Sequence, residues 1–204
     1  MIDIRARIAT IVSVISSFVF VAALHFTRSD LAPASHRLSE YANGSYGWMM
    51  TSAFIALSCG LLAFGFDLWV RPERNGVDLL CISAVAVAAV GTMLSGAYRT
   101  GGSDLAETVH SRASALAVIA LVTLALGYSI LRPNHSRHTD RVGATLAVIA
   151  GVLAVLSPVF HHTRWTGFSQ RLLWIVLLAW LLSTASMSAL GRSVARDGSH
   201  HPEQ

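Results

Sequence analysis

Three short stretches concentrate histidine, arginine, carboxylate and tyrosine side chains in an otherwise apolar chain. They read HFTRSDLAPASHRLSEYANG (residues 25–44), YRTGGSDLAETVHSRAS (98–114) and HHTRWTGFSQR (161–171). The sharpest constellation is His25, His110 and His161 or His162, with Asp104 or Glu107. Three imidazoles and a carboxylate can hold zinc and leave a position for water. Such a water can attack a lipid ester or amide. Positions 107, 110 and 114 fall on one face of a helix, so Glu107 is placed to orient His110 as base or ligand. Glu40 is the further acid–base candidate. No HExxH or other fixed metal spacing occurs, and the bland alternative is a set of interfacial histidines bonded to loops and lipid phosphates. Two histidines near one edge could also hold a haem, with no other feature to support it. The arginines offer separate chemistry. Arg28, Arg99, Arg164 and Arg171, with Asp30 and Tyr41, are candidate ligand contacts, because guanidinium forks match phosphate. The competing reading is plain interface anchoring and internal ion pairing.

The elements that must position these groups are membrane helices. The chain has 204 residues, 53% hydrophobic and 13% charged, with mean hydropathy +0.56. A soluble domain of this size cannot hide that much apolar surface. The apolar windows predict an all-α bundle of six transmembrane helices at about 8–26, 47–69, 77–97, 111–131, 142–161 and 170–190. Residues 1–192 form one membrane domain, and 193–204 a polar, disordered tail. The first apolar run is longer than a signal-peptide core, which favours a retained helix. Asp104 and Glu107 resemble a capping box that starts a helix running into the fourth span. Cys59 and Cys81 lie at different depths and read as small buried hydrophobes.

Arginine placement gives the orientation. All fifteen basic residues are Arg. Arg5, Arg7, Arg71, Arg74, Arg132, Arg137, Arg141, Arg192 and Arg196 fall on one side. Arg28, Arg37, Arg99, Arg112, Arg164 and Arg171 fall on the other. The positive-inside rule puts both termini in the cytoplasm and all three polar stretches outside. The expected location is the cytoplasmic (inner) membrane of a bacterium. Membrane lipids are the expected contacts. A membrane protein partner or a second copy is a further candidate, and no soluble basic domain suggests nucleic acid.

The stretch HFTRSDLAPASHRLSEYANGSYGWMM resembles the hallmark segment between the first two spans of the domain of unknown function 998 family of prokaryotic membrane proteins. The matching residues are His25, Asp30, Pro33, Ser39, Glu40, Tyr41, Ala42, Gly44, Gly47 and Trp48. SGAYRT ending span three, His110 at the start of span four and Gln170-Arg171 at the start of span six are also similar. Two positions depart: the family's Thr-Asp pair is Thr100-Gly101 here, and its second His is Ser114. The resemblance implies a six-span fold with a polar outer face and supplies no reaction. Small residues beside Glu40 and Tyr41 lead us to expect that residues 25–44 fold back over the bundle mouth as a lid. The resulting expectation is a polar extracytoplasmic pocket that binds or modifies lipid head groups or a small amphiphile. The alternative is a non-enzymatic partner or scaffold whose outer loops dock another protein.

Overall fold

The computed structural model describes residues 4–72, 74–131, 137–160 and 163–197. Six helices run in chain order: α1 Ile4–Thr27, α2 Gly47–Trp69, α3 Gly76–Ala97, α4 Asp104–Ile130, α5 Arg137–Leu156 and α6 Thr166–Asp197. Two short 3₁₀ turns, Leu38–Ala42 and Ser157–Phe160, complete the described elements, and there is no strand among the described residues. All six helices contain stretches long and apolar enough to cross a membrane. The protein is a multi-pass membrane protein.

Boundaries differ from expectation where a polar cap sets them. The α4 helix starts seven residues before the expected span. Its cap is Ser103, not Asp104: the Ser103 hydroxyl accepts from Ala106 N at 3.3 Å. The Glu107 carboxylate accepts instead from Gly101 N at 3.0 Å. At the far end, α6 continues to Asp197, so residues 193–197 of the expected tail are helical, and 198–204 lie outside the described residues. Cys81 is buried as expected, whereas Cys59 faces outward.

Each helix packs on the next, and α6 returns to α1, so the six close into a ring. Small residues set the tightest approaches, as they do where lipid offers no hydrophobic drive for association. A Cβ on Gly91 would stand 2.7 Å from Ala113 O, which locks α3 onto α4. Thr10 Oγ1 donates to Gly60 O at 3.2 Å and ties α1 to α2. The half of the ring near the chain termini is solid. There Phe64, Tyr128 and Trp180 meet with centroids 5.6–6.1 Å apart, and Trp180 Nε1 donates to Ser129 Oγ at 2.8 Å. A second apolar cluster, Leu24, Leu38, Tyr41, Ala42 and Met50, sits at the opposite end. Between the two clusters the ring is hollow.

Candidate functional site

The hollow is a cavity of about 810 Å³, within the size range of drug-sized ligand sites. Helices α1, α2, α4, α5 and α6 wall it, and α3 contributes nothing to the lining. From His110 to Ile119 on α4 it runs about 13 Å along the helix axis. Its depth is apolar, with Leu57, Val118, Trp174 and Leu178 on the walls. Most of its polar groups gather at one end: His25, Ser39, His110, Ser114, Gln170 and Arg171; Ser17, two turns deeper on α1, is an exception.

Arg171 organises that end. Its Nε donates to His25 Nε2 at 2.9 Å, and its Nη1 donates to Pro33 O at 2.6 Å, His36 O at 2.7 Å and Gly167 O at 3.0 Å. Its guanidinium also lies 5.2 Å from the centre of the Tyr41 ring. One side chain from α6 thus holds the first helix and the 25–44 stretch together. Neighbouring contacts add to the clamp. Leu38 N donates to Gln170 Oε1 at 2.9 Å and Phe168 N to Ala34 O at 3.0 Å. Thr100 Oγ1 donates to Ser39 O at 3.1 Å. Gly167 makes the close approach possible, since a Cβ there would lie 2.2 Å from His36 O and 2.5 Å from Pro33 O. The stretch therefore lies across the bundle mouth, with Ser39 and Tyr41 buried.

His25 has both ring nitrogens engaged. Nδ1 stands 2.7 Å from Val21 O; a carbonyl only accepts, so Nδ1 carries the proton and Nε2 is the acceptor for Arg171. In this arrangement His25 has no free lone pair for a metal. His110 is oriented differently. Its Nδ1 lies 2.9 Å from Ser95 O and 2.8 Å from Tyr98 O, so Nδ1–H donates to carbonyls in the last turn of α3, which lack intrahelical partners. Nε2 is left as the acceptor, 3.4 Å from Ser114 Oγ, and Ser114 Oγ is 2.9 Å from Ser95 Oγ. Backbone carbonyls, not Glu107, orient this imidazole. The arrangement can accept a hydrogen bond or a proton at Nε2, and it places a hydroxyl beside that atom.

The remaining candidates are dispersed. Glu40 accepts from Arg37 N at 3.0 Å and braces the 3₁₀ turn; it does not line the cavity. Arg28 grips Asp30 through two 2.9 Å bonds and donates to Asn43 O. The bond to Arg28 holds the Asp30 carboxyl below the usual carboxylate range. Both residues fasten the stretch to itself. The Tyr41 hydroxyl donates to Leu31 O at 2.9 Å, and its ring stacks 5.1 Å from His25. Arg99 is exposed. Arg164 is also exposed, with its guanidinium 5.4 Å from the Trp165 ring centre. His161 and His162 lie outside the described residues. Among the described residues no three His, Cys, Asp or Glu side chains converge as a metal site. Of the four histidines proposed for zinc, only His25 and His110 lie among the described residues, and His25 has both ring nitrogens engaged.

Gln170 and Gly167 were not singled out as site residues from their types. Their signal was positional: both stand in the first turns of α6, beside Arg171. The opposite end holds a second polar cluster. Asp67 sits between Arg71 at 3.0 Å and Arg7 at 3.5 Å, and Arg71 also donates to the Tyr128 hydroxyl at 3.4 Å. Burial opposes the charge on Arg71, but Tyr128 and Asp67 outweigh it and raise its pKa. The Asp67–Arg71 pair follows from i,i+4 spacing; the Arg7 and Tyr128 contacts join residues too distant in sequence to be paired by eye.

The family model described as "Protein of unknown function (DUF998)" matches residues 11–187. The chain belongs to the DUF998 family. The match covers every residue lining the cavity and the whole clamp around Arg171. No curated protein and no solved structure matches the chain.

Proposed function

We propose that this DUF998 member binds a lipid or small amphiphile inside the bundle, with the polar head against the His110–Arg171 end and the apolar part in the depth of the cavity. The observation that carries this reading is the cavity's polarity gradient: most polar groups at one end, and the rest lined by apolar side chains apart from Ser17. A pocket of that form matches an amphiphile better than a water-soluble metabolite. In this reading the 25–44 stretch is a docked lid, and its clamp to α6 keeps the polar end closed. His110 Nε2 and the Ser114 hydroxyl meet the head group. They serve first as hydrogen-bond partners, and any modification chemistry would use the same imidazole as base.

We also place the polar end outside the cytoplasmic membrane of a bacterium, on the distribution of Arg between the two ends of the bundle. The binding reading is tested by native mass spectrometry of full-length protein released from gentle detergent. A bound lipid-like mass is expected on the wild type and is expected to be lost in Ala53→Phe, which fills the cavity from α2. A wild type that carries no such mass, even after incubation with a total lipid extract, would sink the reading.

A further inference from the structure

The cavity is closed at its polar end and open at its side. Leu38, Ser39 and the Arg171 clamp cover the end. At the side, α5 packs less tightly on α4 toward that end. A Cβ on Gly143 would meet Ser129 Oγ at 3.3 Å, whereas one on Gly151 would reach only the tips of Leu126 and Val122 at 3.8 and 3.9 Å. From Gly151 to Phe160 no residue is buried. The helix itself stops at Leu156 and gives way to a 3₁₀ turn containing Pro158. Ile119 on α4 and Ile175 on α6 both line the cavity, yet they are 63% and 51% exposed. Side chains that are at once cavity wall and outer surface mark the lip of an opening. These helices are apolar spans, so the medium beyond the lip is hydrocarbon.

The polar end also has a sign. Among the described residues lining the cavity, none is a carboxylate, and Arg171 is the one permanent cation. The Glu40 carboxylate acts on the Arg171 charge from outside the lining; the Arg171 Nε and Nη1 are engaged, but Nη2 is buried with no hydrogen-bond partner among the described residues. A buried N–H of a guanidinium left without an acceptor is costly, and an anionic oxygen satisfies it best.

We propose that the ligand is an anionic amphiphile that enters sideways from the bilayer, between α4 and α6 past the outer half of α5, and brings its head group to Arg171 Nη2. This rests on the reading of the cavity as an amphiphile site. The tail follows the apolar wall from the lip toward Leu57 and Leu178, and the head meets the guanidinium beside His110 and Ser114.

The test uses full-length protein in phosphatidylcholine vesicles mixed with donor vesicles. The donors carry either a fatty acid or the fatty alcohol of the same length, each with a diazirine at the tail end. Photolysis at set times is followed by mass-spectrometric mapping of adducts. Adducts on the buried floor residues Leu57 and Leu178 report cavity entry, and those on exposed Leu62 and Phe66 report ordinary lipid contact. The acid is expected to give floor adducts, and the alcohol about tenfold fewer, the equivalent of one charge-assisted hydrogen bond. Ile119→Trp, or Ile175→Trp on the other lip, is expected to slow floor labelling and leave surface labelling unchanged. Floor labelling as fast in both lip variants as in wild type overturns lateral entry while amphiphile binding stands. Equal labelling by acid and alcohol overturns the anionic head. No floor adducts with either probe in wild type overturns the binding reading itself.

Discussion

At the scale of single residues, the side chains that looked most reactive mostly build structure. His110 caps the end of α3 through its Nδ1–H, and His25 is an acceptor for Arg171. The two roles of His110, cap and cavity acceptor, can be separated. Ala at 110 removes the cap and leaves buried carbonyls without that partner, which is expected to cost about 1–3 kcal/mol and to lower the thermal midpoint in detergent. Asn can donate to the same carbonyls but offers no imidazole nitrogen to the cavity. His110→Asn is therefore expected to recover much of the stability and to weaken amphiphile retention in the native mass spectrum. If Asn restored retention in full, the imidazole would have no part in binding. Gly167 is a stricter case. A Val side chain there collides with two backbone carbonyls of the lid, so Gly167→Val is expected to cost about 1–3 kcal/mol by overpacking. It should also release the lid. A cysteine at Ser39, which is 6% exposed in the docked lid, would report this: slow maleimide labelling in the parent and fast labelling in Gly167→Val. Fast labelling in both would mean that the lid is not docked.

At the scale of elements, the six helices follow from apolar length, and six of their twelve ends fall within a residue of the expected spans: Thr27, Gly47, Trp69, Gly76, Ala97 and Ile130. The early start of α4 follows from the Asp104–Glu107 pattern, but the identity of its cap does not, because Ser103 competes with Asp104 and only the local backbone decides between them. The division of α5 was invisible in its composition, which is apolar or small from Val142 onward apart from Thr145. Its half near the chain termini buries Gly143, Ala147 and Ala150, and its other half buries nothing. Substitutions should reflect this. Ala147→Leu enters packed space with no exposure and is expected to destabilise by about 1–3 kcal/mol. Val155→Leu, at 78% exposure, is expected to stay within about 0.5 kcal/mol. Chemical-denaturant unfolding in mixed micelles compares the pair, and equal losses would mean that α5 is packed along its whole length.

At the scale of the whole molecule, the ring architecture puts the buried Arg7–Asp67–Arg71 cluster at one end and the lid, His110 and Arg171 at the other. The polarity of the ring in the membrane is the last prediction. In a background with Cys59 and Cys81 replaced, a single cysteine at exposed Ser45 is expected to react with a membrane-impermeant maleimide in intact cells, and one at exposed Arg74 only after lysis. The reverse pattern would turn the protein over and put the polar end in the cytoplasm.

What the sequence by itself determined was everything that depends on local periodicity and solvent choice. The apolar windows dictated six spans, since helices alone satisfy their own backbone in hydrocarbon. The hallmark residues of 25–44 identified the family, and i,i+4 spacing paired Asp67 with Arg71. What only the tertiary structure decided was how distant polar groups use one another. Arg171 reaches His25 across 146 positions, Gln170 reaches Leu38 across 132, and the imidazole of His110 turns to the carbonyls of α3. Glu107 and His110 share a helix face, as read from the sequence, yet Glu107 turns to the nearer Gly101 N–H. Helix spacing lists the neighbours a side chain can meet. Only the closed ring reveals which buried acceptor and donor groups lack a partner, and those needs determine where each side chain points.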